Sequence, residues 1–330
     1  MSQRERSRSL RILLTGSSGV LGRALHGALE NAGDIAEPFD LREPDGTTST
    51  VSGSQDVRRL PAVETAVRDV DGVIHLAAIS RGAAAETDPA RARSVNVEGT
   101  RTVLEALRLR GSAPWIIFAS SREVYGDAKR LPVSESHPLR PKGVYGQSKL
   151  EGEQLVRRWG NTQDRGALIL RFTNLYGDPK DYPERVVPAF ISAALQNRTL
   201  HVRGPDVCID LLHLDDAVSA VLAAVRCLVA GARGVDVMNI ASGRGMRLGD
   251  LATRIRSATG SESVVHDEAP VPWTSNGYVG RIARAAERLG WQPRIPIDEG
   301  LRSLIAKYVA SAGTEGPFKG FPTRNFELLR

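Results

Sequence analysis

A chain of 330 residues, 41% hydrophobic and 25% charged, is long enough to bury a large core, which excludes a small stapled scaffold. Its longest apolar runs, such as WIIFA at 115–119, fall far short of the roughly 18 residues a membrane-crossing helix needs, and no signal-like leader opens it, so a cytoplasmic protein with no membrane partner is expected. The formal charge is +6, but all but six of the 44 cations are arginines interleaved with acids, and aromatics at 5% offer no stacking platform, so no nucleic-acid partner is expected.

The opening segment, MSQRERSRSLR, is polar and arginine-rich with no hydrophobic period, and residues 1–10 are expected to form a disordered leader. Short apolar runs then alternate with helical patterns. RILLT at 11–15 is followed by a helix from about Gly19 to Asn31, DIAEPFD at 34–40, GVIHLAA at 72–78, a helix over about 89–109, WIIFAS at 115–120, an amphipathic helix around 145–159 and ALILRF at 167–172. This alternation predicts an α/β fold, a Rossmann-like doubly wound parallel sheet. Past residue 176 the pattern loosens into glycine- and proline-broken segments with short helices near 185–196, 215–229, 248–257 and 298–310. The expected organisation is a dinucleotide-binding domain over 11–176, with segments at about 205–240 returning to it, and a smaller C-terminal substrate-binding lobe from 177–204 and 241–330. Cys208 and Cys227, 19 residues apart with no ligand-spaced histidine, indicate neither a disulfide framework nor a metal site.

Two constellations carry chemistry. LLTGSSGVLG sets Gly16, Gly19 and Gly22 between the first strand and the first helix, where missing Cβ atoms let the backbone approach a pyrophosphate and the helix N-terminus receives it. Asp40 lies 18 residues past Gly22, near the spacing of an acid that accepts the adenosine ribose hydroxyls. Its charge repels a 2′-phosphate and so favours NAD, while Arg42 is either a partial offset that keeps NADP open or an ordinary loop charge.

The second is GVYGQSK. Four residues on a helix return to the same face, so Tyr145 and Lys149 reach toward one spot, and the ammonium stabilises the phenolate and makes Tyr145 a usable base. FASSREVYGD ends a strand with Ser120 and Ser121, at the edge where such sheets bind ligands, and a serine hydroxyl there can hold the oxygen that the tyrosine deprotonates. Removing that proton readies the adjacent carbon to release hydride to a nicotinamide.

TGSSGVLG, HLAA, SSREVYG, YGQSK and RFTNLYG, in this order, resemble the extended short-chain dehydrogenase/reductase family, the NAD-dependent epimerase/dehydratases of nucleotide sugars, over roughly residues 11–310. The resemblance implies Ser121, Tyr145 and Lys149 as the catalytic residues, with Tyr145 and Lys149 also at the cofactor. It implies cofactor contacts from Val20 and Leu21, from Asp56 and Val57 by the adenine, from Leu76, Ala77 and Ala78 after the fourth strand, and from Asn96. It places Asn174 at the substrate diphosphate and implies a homodimer. SSREVYG is similar to the 4-epimerases and related decarboxylases; the 4,6-dehydratases carry an Asp-Glu pair where this chain has Arg122 and Glu123, so dehydration is not expected, and Glu123 either orients substrate or braces its loop. Ile209 and Val271 stand where relatives carry diphosphate-clamping arginines, and Arg185, Arg203 or Arg281 are the candidates to replace them. The function implied is an NAD-dependent nucleotide-sugar 4-epimerase of UDP-glucose or UDP-glucuronate type, with an NAD(P)H-dependent 4-ketoreductase of a nucleotide-linked deoxysugar, or a decarboxylase, as alternatives.

Overall fold

The computed structural model describes residues 8–41, 55–80, 82–110, 114–163, 165–270 and 277–312. Arg42 and Val271 lie outside them, as do residues 1–7 of the expected leader. Residues 8–10 depart from that expectation. Arg8 pairs with Asp71 (3.2 Å), Ser9 Oγ donates to the Gly33 carbonyl (2.7 Å) and the Leu10 N–H to Asp34 (3.0 Å), so the chain is tied down by its neighbours just before the first strand.

In chain order the elements are β1 (Arg11–Thr15), α1 (Val20–Asn31), β2 (Ile35–Phe39), α2 (Leu60–Ala66), β3 (Gly72–His75), α3 (Gly82–Thr87), α4 (Pro89–Arg93), α5 (Gly99–Leu109), β4 (Trp115–Ser121), α6 (Val144–Gln163), β5 (Ala167–Phe172), β6 (Asn174–Tyr176), α7 (Val186–Leu195), β7 (Leu200–Arg203), β8 (Cys208–His213), α8 (Leu214–Val229), β9 (Val235–Ile240), β10 (Gly245–Arg247), α9 (Leu248–Thr259), β11 (Val265–Glu268), α10 (Ala283–Leu289) and α11 (Ile297–Ala312). The helix expected over 89–109 is broken by a π-turn at Ser94–Glu98, and β3, the third strand among the described residues, ends before Leu76–Ala78, which leave the sheet.

By its contacts the chain divides into two compact units. One holds Met1–Ser121, Gln147–Arg171 and Val221–Met238; the other holds Arg122–Gly146, Phe172–Ala220 and Asn239–Arg330. The first carries most of a six-stranded sheet in the order β2-β1-β3-β4-β5-β9, with β1 parallel to both β2 and β3 and β3 parallel to β4. Because its strands are covered on both faces they read as continuous apolar runs: Ile12, Leu14, Val73, Ile74, Ile116, Ile117, Ile169 and Leu170 are fully buried. Each contributes about 2 kcal/mol of burial. Strand order reverses between β1 and β3, so the crevice of a doubly wound sheet opens at their carboxyl ends, where Gly16 and Leu76–Ala78 follow.

The second unit holds two small sheets, β10-β8-β6 and β11-β7, and a core in which Ile191, Leu200, Val202, Ile209, Leu251, Ile255 and Leu304 pack with Tyr176 and Tyr308.

Candidate active site

The glycine turn after β1 is tight for reasons internal to the protein. Gly16 has φ +73°, and a Cβ there would lie 2.6 Å from the Ala77 nitrogen; one on Gly22 would lie 2.3 Å from the Gly16 carbonyl oxygen. A Cβ on Gly19 would meet only the Gly16 carbonyl oxygen, at 3.2 Å, so this glycine faces the space in front of the helix. No side chain caps α1, and the N–H groups of its first turn, which include Val20, Leu21 and Gly22, have no intrahelical acceptor. The turn therefore fits the pyrophosphate of a dinucleotide, with donors and a helix dipole aimed at one place.

Asp40 follows β2 and is fixed on this turn: its carboxylate accepts the Ser18 N–H (3.0 Å), while its own N–H donates to Gln55 Oε1 (3.2 Å). Asp56 is buried and held by Arg58 Nε and Nη2 at 2.9 and 2.5 Å; hydrogen bonding to that guanidinium keeps its carboxyl below the usual range. Val57 lies in the core, against Gly99.

A one-way chain of hydrogen bonds crosses the sheet beneath the crevice. The Ala77 N–H donates to Thr15 Oγ1 (3.3 Å), and the Leu76 N–H to the Thr15 carbonyl (3.1 Å). Thr15 Oγ1 bonds His75 Nδ1 (2.7 Å), His75 Nε2 bonds Thr100 Oγ1 (3.0 Å), and the Thr100 hydroxyl is spent on the Asn96 carbonyl (2.6 Å). With that proton committed, Thr100 can only accept from His75, which makes Nε2 the protonated nitrogen and Nδ1 the acceptor. Burial, with Lys149 nearby, pushes the imidazole pKa down to about 3 and keeps it neutral. Asn96 sits in the π-turn; its Oδ1 accepts the Ile79 N–H (2.8 Å), and its Nδ2 donates to the Ile79 carbonyl (3.2 Å) and to Ser148 Oγ on α6 (2.9 Å). Its side chain thus braces the segment after β3 against the helix of the YGQSK motif.

That helix carries Tyr145, Lys149 and Glu153 at successive fourth positions, along one face. It lies close on β4 because position 152 is glycine: a Cβ there would come within 2.6 Å of Phe118 Cζ. Lys149 is buried, with Nζ 5.0 Å from the centre of the Phe118 ring. Burial pushes its pKa down to about 8, and the charge of Glu153 opposes that shift. Ser121, the last residue of β4, is buried, as is Tyr145 in the first turn of α6. Ser121 and Lys149 belong to the first unit, and Tyr145 falls in the second, whose boundary passes between Gly146 and Gln147.

In the second unit, Glu123 lies in a 3-10 turn whose backbone braces the loop: its carbonyl accepts the Gly126 N–H (3.3 Å) and would lie 2.7 Å from a Cβ on Gly146. Asn174 opens β6, donating to the Asp210 carbonyl (3.4 Å) and accepting from Arg122 Nε (3.3 Å). Ile209 is buried among apolar residues, as its side chain demands. Of the arginines considered as substitutes, Arg185 pairs with Asp181 (3.4 Å), Arg203 is bound across β7 and β11 to Glu268 (2.9 Å), and Arg281 is exposed. The cation on Asn174 is Arg122, which the sequence reading treated only as a missing acid. Among the described residues no cluster of three or more His, Cys, Asp or Glu could hold a metal, and no helix is long and apolar enough to cross a membrane.

Residues 12–241 match the NAD dependent epimerase/dehydratase family. The chain belongs to that family. It is 31% identical to the GDP-6-deoxy-D-mannose reductase of Pseudomonas aeruginosa over 90% of its own length and 97% of that protein's. Among solved structures it is similar to the UDP-glucose 4-epimerase of Thermotoga maritima with UDP-glucose, at a TM-score of 0.83 and 25% identity over 92% of this chain and 99% of that one. It is also similar to the Pseudomonas aeruginosa RMD complexed with NADPH, at 0.79 and 28% over 92% of this chain and 100% of that one. The family acts on nucleotide sugars as epimerases, dehydratases and reductases, and similar solved structures carry NAD or NADPH.

Besides Arg122, the sequence reading passed over Glu153, Arg171 and His75. Glu153 had a local signal, its place four residues past Lys149; the partners of the others are too distant in sequence to be read from it.

Proposed function

We propose that the chain is an NAD-dependent nucleotide-sugar 4-epimerase. The observation that carries this reading is one helix presenting Tyr145 four residues ahead of Lys149, whose cation is buried with Glu153 as its counter-charge. Gly16, Gly19, Val20, Leu21 and Gly22 would hold the pyrophosphate, Asp40 the adenosine ribose, Asp56 and Val57 the adenine end, and Leu76, Ala77, Ala78 and Asn96 the inner wall. Asp40, fixed on the Ser18 N–H, favours NAD because its charge repels a 2′-phosphate. When bound, NAD supplies the acceptor and later the donor of hydride at the sugar C4.

Tyr145 takes the proton from the C4 hydroxyl and returns it after the sugar has turned in the pocket, with Ser121 holding the same oxygen. The ammonium of Lys149 stabilises the phenolate form of Tyr145. Arg122 stands in place of a carboxylic acid, and its guanidinium is too weak an acid to protonate a departing hydroxyl, so water is not eliminated. Asn174 and Arg122 would meet the diphosphate in place of the absent arginines. A homodimer, implied by the resemblance, belongs to the same reading; a monomer by light scattering at micromolar concentration contradicts it.

A one-way ketoreductase is the second reading, favoured by the 31% identity to a reductase. Heating the purified protein and identifying released nucleotide separates the two. An epimerase is expected to release retained NAD and to convert a UDP-, dTDP- or GDP-sugar into its C4 epimer by NMR with no net NADH. Protein that emerges empty and consumes NADPH against a 4-keto sugar would replace the epimerase with the reductase.

A further inference from the structure

Glu153 joins three elements of the first unit. Its Oε1 accepts from Ser120 Oγ on β4 (2.6 Å) and from Arg171 Nε on β5 (2.8 Å), its Oε2 accepts from Arg171 Nη2 (2.6 Å), and the residue itself belongs to α6. Ser120, Glu153 and Arg171 are all buried, the last two completely. β4 ends one residue after Ser120, at Ser121, and α6 carries Lys149 one turn before Glu153. A buried ion pair is poor evidence of a stabilising role, because apolar residues of similar volume often serve as well or better. Its charge calls for another reason, and Lys149 supplies it. The groups that face that ammonium include the Phe118 ring on β4, His75 on β3, Tyr145 one turn earlier on its own helix, and Glu153 one turn later with Arg171 of β5 behind it. His75 is locked neutral by Thr15 and Thr100, so the carboxylate of this set is Glu153, apart from Tyr145, whose phenolate is the form that the ammonium serves in the proposed reaction.

The geometry points to Glu153 as a positioning residue, a role that rests on the reading of Lys149 given above: it fixes the strand that ends in Ser121 against the helix that carries Lys149, and it keeps Lys149 charged where water is excluded. Ser120 and Arg171 hold the carboxylate at both oxygens, so it cannot swing away from either element.

The six lysines of the chain allow the Lys149 side-chain NMR signals to be followed singly in lysine-labelled protein, assigned with Lys149→Arg. In the unaltered protein Lys149 is expected to titrate near pH 8. The double variant Glu153→Gln/Arg171→Met removes both charges together and strands neither. Its Lys149 midpoint is expected to fall by about 1 pH unit, and the alkaline limb of turnover to move with it. Arg171→Met alone leaves Glu153 with Lys149 as its cation and is expected to move the midpoint the other way. A brace without an electrostatic role would lower the melting temperature and leave the midpoint in place, so an unmoved midpoint in either variant overturns the proposal. One folded variant suffices for the decision. The titration needs no substrate: the expected shifts without C4 epimerisation would reject the activity and keep the positioning role.

Discussion

Among the described residues two carboxylates, Glu153 and Asp210, are fully buried, and they are held in opposite ways. Glu153, in the first unit, is bound by a guanidinium and faces an ammonium one helical turn away. Asp210, in the second, is bound by neutral donors: the Ser242 N–H (2.8 Å) and Oγ (2.7 Å) and the Gly243 (3.0 Å) and Gly280 (3.1 Å) N–H groups. Burial pushes the Asp210 carboxyl up despite these four bonds. Asp210 shows that backbone amides and one hydroxyl are enough to seat an acid where only geometry is needed, here tying β8 to the 242–243 turn and to Gly280. Where the protein uses arginine and lysine instead, charge itself is being arranged.

The strongest way to break this contrast is to remove the group that the charge is arranged for. Tyr145→Phe is expected to lower turnover by about a thousandfold with NAD still retained, since only the proton acceptor is lost; undiminished epimer formation by NMR would leave the Glu153–Lys149 charges without a task. Next in size are the carboxylates themselves. Glu153→Ala strands a buried guanidinium and is expected to cost about 4 kcal/mol in urea unfolding. Asp210→Ala strands amide donors and is expected to cost about 2–3 kcal/mol, with the pH dependence of turnover unchanged. If Asp210→Ala shifted the alkaline limb, the division between a charged and a neutral anchor would fall.

How much of this was legible in sequence follows from the range of each interaction. The first five strands, the glycine turn and the Tyr145–Lys149 pair are set by periods of two to seven residues and were readable, whereas β6 to β11, in stretches broken by glycine and proline, were not placed. The bonds from Glu153 to Arg171 and Ser120 span 18 and 33 residues, and that from Arg122 to Asn174 spans 52, so only the folded chain brings them together. The π-turn at Ser94–Glu98 looks helical in any apolar pattern, yet it is what sets Asn96 on Ile79 and Ser148. Arg203 seemed available for a phosphate because its register with Glu268, across two parallel strands, has no local signature.

Arg122 sharpens the contrast from the second unit, where the buried acid is neutral-bound but a cation sits on Asn174. Arg122→Gln is expected to raise KM about tenfold with kcat nearly kept, the loss of a charge-assisted contact to an anionic substrate group. Arg281→Gln should change KM by less than about twofold, as befits an exposed charge. Equal effects from both would mean that the diphosphate is held elsewhere.

The smallest effect is the one that separates activity from stability. Lys149 has a folded pKa of about 8 against an ordinary 10.5, so between these values the unfolded chain binds a proton that the folded chain does not. Stability therefore rises with pH across that window, because the cost of a buried ammonium is relieved as Lys149 is neutralised. Turnover runs the other way, since the neutral amine no longer stabilises the Tyr145 phenolate, and it should be near half its plateau at about pH 8. Urea unfolding at pH 7.5, 8.5 and 9.5 on the protein and on Lys149→Met isolates the term: the stability lead of Lys149→Met should shrink as pH rises while the unaltered enzyme loses activity. A lead that stays constant across those three values would mean that Lys149 keeps its proton in the folded protein throughout, as it does in the unfolded chain, and a loss of turnover near pH 8 would then have to come from another group.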